Sequence, residues 1–327
     1  MTAEHGFEEA RQTVDADFLA RGGEMGERIR QHDWSATSVG PMSSWPGSLR
    51  SAVSLCVRSQ FSTIIHCGWP DLVVLYNDTF ISLIGDKHPT ALGARLFDSW
   101  PELRPTIENM LESVFSSGQA ALSKDLLHVY RRSGYLEERY LTASFNPIVL
   151  HPGKIAGSFT LVDDTTDRVI GERRLRTLRD LAARSMEAKE LDVACRVAAA
   201  VMSDNCYDLP FALFYLPDED HKCAQLVANV GLNPGQPASP KNFELKELND
   251  SAFWPIVRAF ETNSVQQVDN LLEKLGPLPG GPWNDHPRNS FPVPVSPSMS
   301  TVESVGATLP ICDSTRRSST EDPTISS

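Results

Sequence analysis

The stretch from Ile155 to Leu191, IAGSFTLVDDTTDRVIGERRLRTLRDLAARSMEAKEL, decides how the chain is read. It opens as a strand: Ile155, Phe159 and Leu161 are apolar at odd positions, with Ser158 and Thr160 between them. A period of two predicts a half-buried strand with the odd positions inward. Asp164, Thr165 and Thr166 follow, and short oxygen-bearing side chains there can cap the first amides of a helix. Beyond them Leu175, Leu178, Ala182 and Met186 recur every three or four residues among Arg, Glu and Asp. So narrow an apolar stripe predicts a helix that pairs along a two-helix seam. A strand feeding such a helix is a way for a sensor to hand on a conformational change.

Asp164-Thr165-Thr166-Asp167-Arg168 resembles the Asp-x-Thr turn that closes PAS domains and opens their signalling helix. Further runs carry the same resemblance in order: His32-Asp33-Trp34-Ser35, Leu75-Tyr76-Asn77-Asp78, Gly85-Asp86-Lys87-His88-Pro89 and Gly171-Glu172-Arg173-Arg174-Leu175-Arg176. From about Gly26 to Val295 the chain is similar to the PAS–GAF input half of sensor histidine kinases. The resemblance implies an α+β fold: a PAS-like five-stranded antiparallel sheet with flanking helices, a helical connector, then a partial GAF-like domain. The expected borders are an N-terminal extension over 1–30, the PAS-like domain over 31–168, the signalling helix over 169–190 and the GAF-like part over 191–295. A Ser/Thr/Pro-rich tail over 296–327 reads as disordered.

Within the first part, Gln60–Cys67 and Asp71–Tyr76 are β-rich runs joined by Gly68-Trp69-Pro70-Asp71, a turn composition. Asn77 closes the second run and is read as structural. Trp34 and Trp45 are read as apolar anchors. A long helix is expected over Trp100–Ser117, and strands over Leu122–Arg131, Tyr135–Ile148 and Ile155–Val162, with Leu141, Ala143 and Phe145 inward. Two strands, short helices, a long helix and three strands is PAS order, with the sheet wrapped over a small cavity. The residues chosen for its lining are Ile65, Phe80, Met110, Phe145 and Phe159. The signalling turn and helix are assigned to Asp164, Thr166, Leu175, Leu178 and Ala182.

In the second part a helix is expected over Leu191–Met202, a hairpin over Phe211–Leu216 and Gln225–Val230, and a ligand-covering loop over Asn233–Asn249. Phe253–Glu261 reads as helix, Val265–Val268 and Asn289–Val295 as strands. A GAF sheet needs more strands than these, so this half reads as truncated, with an open edge.

Composition narrows the function classes. The 327 residues are 41% hydrophobic and 22% charged, with a net charge of -12. An acidic surface repels phosphate backbones, and acidic residues interrupt the basic run Arg168–Arg184, so nucleic-acid binding is not expected. The six cysteines are scattered without C-x-x-C spacing, which argues against a metal site or disulfide framework. No apolar run approaches the ~18 residues of a membrane span, and residues 1–23 have no signal-peptide core; a cytoplasmic protein without a membrane partner is expected.

Catalytic patterns are missing from the sequence: no G-x-x-x-x-G-K-[ST], G-x-S-x-G or H-E-x-x-H occurs. None of the eight histidines sits in a phospho-acceptor setting. The chain is therefore expected not to be an enzyme. The cofactor is left unknown, because no residue for flavin, bilin or haem attachment is legible, and no metal ligands are assigned. The function that follows is a sensory or regulatory module of two-component-type signalling, or phosphorelay. It would act as a homodimer through a coiled coil over 171–186, with a small-molecule ligand or another sensor or kinase as partner. An interaction or scaffold protein with a ligand-free cavity is the alternative reading, and an enzyme a third.

Overall fold

The fold comes from a computed structural model, which describes residues 18–132, 135–151, 154–185, 188–245, 254–262 and 264–283. The chain divides into two compact units, Met1–Val169 and Ile170–Ser327.

The first unit contains α1 (Gly23–Gln31), α2 (Gly47–Arg58), β1 (Ser62–Cys67), β2 (Val73–Tyr76), α3 (Asp78–Ile84), α4 (Leu96–Ser99) and α5 (Arg104–Ser117). The strands β3 (Ala121–Arg132), β4 (Tyr135–His151) and β5 (Lys154–Asp164) complete it. They form one five-stranded sheet of order β2-β1-β5-β4-β3, antiparallel at every pairing. This is the α+β architecture and the element order that the sequence predicts. The last strand made is thus the middle strand. Gly157 is required there: a Cβ would lie 2.7 Å from the backbone oxygen of His66 on β1.

The sheet is covered on both faces. Side chains alternate along a strand, so Ile64 and His66 share one face while Thr63, Ile65 and Cys67 share the other. Helix α2 packs on β1, β2, β4 and β5, and its Cys56 Sγ lies 3.7 Å from the Thr63 carbonyl oxygen. Helices α3 and α5 cover the Ile64 and His66 face. Burial and the nearby Cys67 thiol push the Cys56 thiol up, so both behave as small core groups.

Local sequence explains the joints. Asn77 accepts hydrogen bonds from the amides of Thr63 (3.0 Å) and Phe80 (3.2 Å) and donates to the carbonyls of Ser59 and Phe61. One buried amide thereby caps α3 and ties it to β1, the structural role expected of it. Trp34 and Trp45 are buried with rings 5.1 Å apart, as anchors. Helix α5 starts at Arg104 rather than Trp100, because Pro101–Leu103 forms a tighter turn first. It ends where Gly118 takes a left-handed φ of 68° and its N–H bonds the Val114 carbonyl.

The N-terminal border needs correction. The sequence suggests an N-terminal extension over 1–30, yet α1 buries Met25 and Ile29 in the first unit's core. The Asp78 carboxylate of α3 receives the amides of Glu24 (3.0 Å) and Met25 (2.7 Å), so the cap of α1 comes from far along the chain.

Helix α6 (Thr166–Ser185) begins in the first unit and continues in the second. The second unit adds α7 (Leu191–Ser203), β6 (Ala212–Pro217), β7 (Cys223–Val230), β8 (Asn242–Glu244), α8 (Ile256–Thr262) and α9 (Leu271–Leu275). Its sheet is three-stranded, β6-β7-β8. Two expectations fail here. The loop over 233–249 contains β8, which pairs with β7 at Cys223, Ala224 and Gln225. Val265–Val268 is no strand of this sheet; its one apolar anchor, Val268, is buried beside Leu271 of α9. Met186, Asn289–Val295, the tail over 296–327 and most of the segment before Leu19 lie outside the described residues.

Candidate functional site: a cavity and the corner behind it

Between the sheet and helices α3 to α5 lies a cavity of about 70 Å³ that opens to solvent at its mouth. That is room for several waters or one small molecule. Phe80, Leu83 and Ile84 of α3 form one wall, with Trp100 and Ile107 beyond. Leu141, Ala143 and Phe145 of β4 face it as expected. The other wall residues include His66 of β1, Ser123 and His128 of β3, and Thr160 of β5. None of the lining side chains is Asp, Glu, Lys or Arg.

Of the five predicted lining residues, the structure brings Phe80 and Phe145 to the cavity. Ile65, Met110 and Phe159 do not line it. Ile65 and Phe159 are cross-strand partners on the opposite face, under α2. Met110 is half-buried, three residues on from Ile107, which does line the wall. The face of β5 turned to the cavity carries its even positions, against the expectation for Phe159, for a physical reason. As the central strand it is covered on both faces, so its large residue Phe159 fills the α2 side. Ser158 and Thr160, though polar, are fully buried on the cavity side, with Leu161 left partly exposed. At Thr160, β5 places a small hydroxyl residue on the cavity wall where a packed sheet would place a large one.

These hydroxyls pair inside. Ser158 Oγ lies 3.2 Å from Thr160 Oγ1, which lies 3.3 Å from His66 Nδ1. Burial pushes the His66 imidazole down to about 3, so it is neutral at physiological pH. Burial also lowers His128, with the Glu102 charge pulling the other way. Sequence reasoning passed over His66 because a histidine inside an apolar strand gives no signal without the register that sets Thr160 diagonal to it.

Behind the cavity wall sits the corner that starts α6. Strand β3 has a bulge between Ser123 and Leu126, both wall residues, and Asp125 within it takes φ 48°. A bulge re-aims one side chain out of the alternation, and Asp tolerates this conformation better than most residues. The Asp125 carboxylate accepts from Thr165 Oγ1 at 2.7 Å and from the Arg168 guanidinium. Those bonds, Arg168 first and Thr165 second, hold its carboxyl below the usual aspartate value. Asp164 accepts from the Thr166 amide at 3.1 Å and pairs with Arg139 at 3.2 Å, while Thr166 Oγ1 accepts from the Tyr140 amide. Asp164 thus ends β5 and Thr166 opens α6, with Thr165 between them.

The predicted seam residues lie along α6 without filling its buried face. Thr177 and Leu181 are the buried positions, Leu181 packing with Ala198 and Val201 of α7. Leu178 and Ala182 are half-buried, and Leu175 is 67% exposed. A clamp missed by sequence reasoning fixes this part of the helix. Arg173 meets Asp208 through two hydrogen bonds of 2.8 and 2.9 Å, its guanidinium lying 5.0 Å over the Tyr207 ring. Asn205 Nδ2 donates to both Thr177 Oγ1 and Asp208 Oδ2 at 3.0 Å. Burial would raise the Asp208 carboxyl, but the bonds from Arg173 and Asn205 and the charges of Arg173 and Arg174 outweigh it and hold it low.

Among the described residues no group of three or more His, Cys, Asp or Glu side chains is arranged to hold a metal ion. No described helix is long and apolar enough to cross a membrane.

No protein-family profile matches the chain, and a search of curated proteins finds no match. Solved structures do show likeness. One is a sensory box sensor histidine kinase from Vibrio cholerae, at 18% identity over 32% of this chain and 82% of that one, TM-score 0.25. Another is the PAS domain of Bordetella pertussis BvgS, at 18% identity over 36% and 87%, TM-score 0.28. A third is the chromophore-binding domain of a Stigmatella aurantiaca bacteriophytochrome, at 15% identity over 73% and 70%, TM-score 0.23.

Proposed function

We propose that the chain is a cytoplasmic sensory input module of two-component-type signalling, without catalysis of its own, whose cavity state is passed to α6 and from there to a second copy. One observation carries this reading: the bulge that interrupts the cavity wall at Ser123 and Leu126 also supplies Asp125, which holds Thr165 and Arg168 at the start of α6. A change in the wall then shifts the anchor of the helix directly, and an interface packed on discrete rows of side chains answers a small shift with a jump. Leu175, left exposed and in line with Leu178 and Ala182, supports the homodimer seam.

The test has two parts. Light scattering on the purified chain should read a dimer, and L175D/L178D should read a monomer with unchanged circular dichroism. Asp125→Ala should speed hydrogen exchange at the amides of residues 166–170 while leaving β1 and β5 protected. A monomeric parent chain refutes the paired helix; unchanged exchange in D125A refutes the route from the wall.

A further inference from the structure

We infer that the cavity takes a neutral, flat, mostly apolar small molecule whose one hydrogen-bonding atom pairs with Nε2 of His66. This deepens the sensing role proposed above and rests on it. His66 is 2% exposed and lines the cavity. Its Nδ1 is engaged by Thr160, and its ring stands 6.3 Å from that of Phe145. Nε2 finds no partner among the described residues. A buried polar atom left unpaired is costly, so such atoms in folded proteins mark a bound water or a ligand.

The lining selects the ligand's character. With no Asp, Glu, Lys or Arg on the wall, His66 held neutral by burial and His128 shifted down by it, an ion entering would lose its hydration uncompensated. Phe80, Trp100 and Phe145 offer ring faces and edges suited to a flat partner.

The hydroxyl chain lets one nitrogen serve two kinds of ligand atom. When Ser158 donates to Thr160 and Thr160 donates to Nδ1, the ring proton sits on Nε2, which then donates. When Nδ1 carries the proton and donates to Thr160, whose own proton turns to Ser158, Nε2 accepts. No net charge moves between the two settings.

Quinoline and naphthalene test this, since they share shape and differ in one ring nitrogen. Titrations followed by amide NMR give the ratio of their dissociation constants for the parent chain and for His66→Phe. In H66F the ratio should move about tenfold against quinoline. In the parent chain the ¹⁵N shift of His66 Nε2 should change on adding quinoline and stay fixed with naphthalene, a readout that needs no variant to fold. A ratio unchanged in H66F, or an Nε2 shift indifferent to quinoline, overturns the inference while leaving the sensing role intact. Failure of both probes to bind in the cavity overturns the inference, whereas the sensing role falls only to the tests of Asp125 and α6 given above.

Discussion

Replacing Asp208 by Asn tests how α6 is held in the second unit. The substitution keeps the shape of the side chain and removes its charge. Asp208 faces Arg173 through two charge-assisted bonds of 2.8 and 2.9 Å and has Arg174 at 3.6 Å. The Arg173 and Asp208 side chains are only 17% and 13% exposed, so solvent screens them weakly. Taking away the anion leaves two guanidinium groups half-desolvated beside an amide. Breaking one partner of a buried pair costs about 3–5 kcal/mol, and the residual exposure here puts the cost near the lower bound, about 3 kcal/mol. With a urea m-value of about 2 kcal/mol/M the unfolding midpoint falls by about 1.5 M. Trp283 reports it locally, because its indole donates to the Tyr207 carbonyl and packs against the Tyr207 ring. The sign with pH follows from a carboxyl held low. Its contribution is fully present above the ordinary aspartate value of about 3.9 and disappears as pH falls through the folded-state value. The difference between parent and D208N should therefore shrink in acid. A loss below about 0.5 kcal/mol at neutral pH, the size seen for exposed pairs, refutes the clamp.

Three further outcomes are expected. Asn77→Ala removes an amide with partners on α3, β1 and the turn before it, and should cost about 3 kcal/mol of first-unit stability by urea melt; a cost under 1 kcal/mol contradicts its role as a joint. Gly157→Ala places a methyl group against the His66 backbone oxygen and should lower the melting temperature while loosening hydrogen exchange along β1; unchanged exchange would mean that β1 and β5 part without cost. His66 binds its proton far less readily folded than unfolded, so its contribution to stability is present above about pH 6.5 and is lost as pH falls toward 3, by at most about 1.4 kcal/mol per pH unit. H66F should flatten that slope relative to the parent chain, and parallel slopes would show the imidazole to be wetter than the structure has it.

Local patterns in the sequence were enough for the sheet, the Asn77 joint, the Asp164 turn and the inward face of β4. Alternation at Leu141, Ala143 and Phe145 is the sort of signal a strand carries by itself. What stayed illegible needed partners distant in the chain. Met25 and Ile29 make a weak helical pattern, and the cap of their helix is Asp78. On β5 the larger residues suggest an inward face, but a central strand has two inward faces, and only the register shows that Thr160 adjoins the cavity, with Ser158 buried on the same face. The clamp at Asp208 joins residues some thirty positions apart across a helix turn, a separation at which composition says nothing. Leu175, Leu178 and Ala182 were legible as a stripe, yet Leu181, one step around the helix, is the residue its own unit buries.

The place of β5 has a mechanical consequence. During synthesis the hairpin of β1 and β2 and the neighbour strands β3 and β4 emerge first, and each must wait with a bare edge for the strand that joins them. The same strand runs straight into α6. Traction applied to that helix is therefore borne by the member with hydrogen-bonded neighbours on both sides, and by no edge that could peel away alone. A single-molecule pull from the helix end should yield in one abrupt step that takes the whole sheet with it.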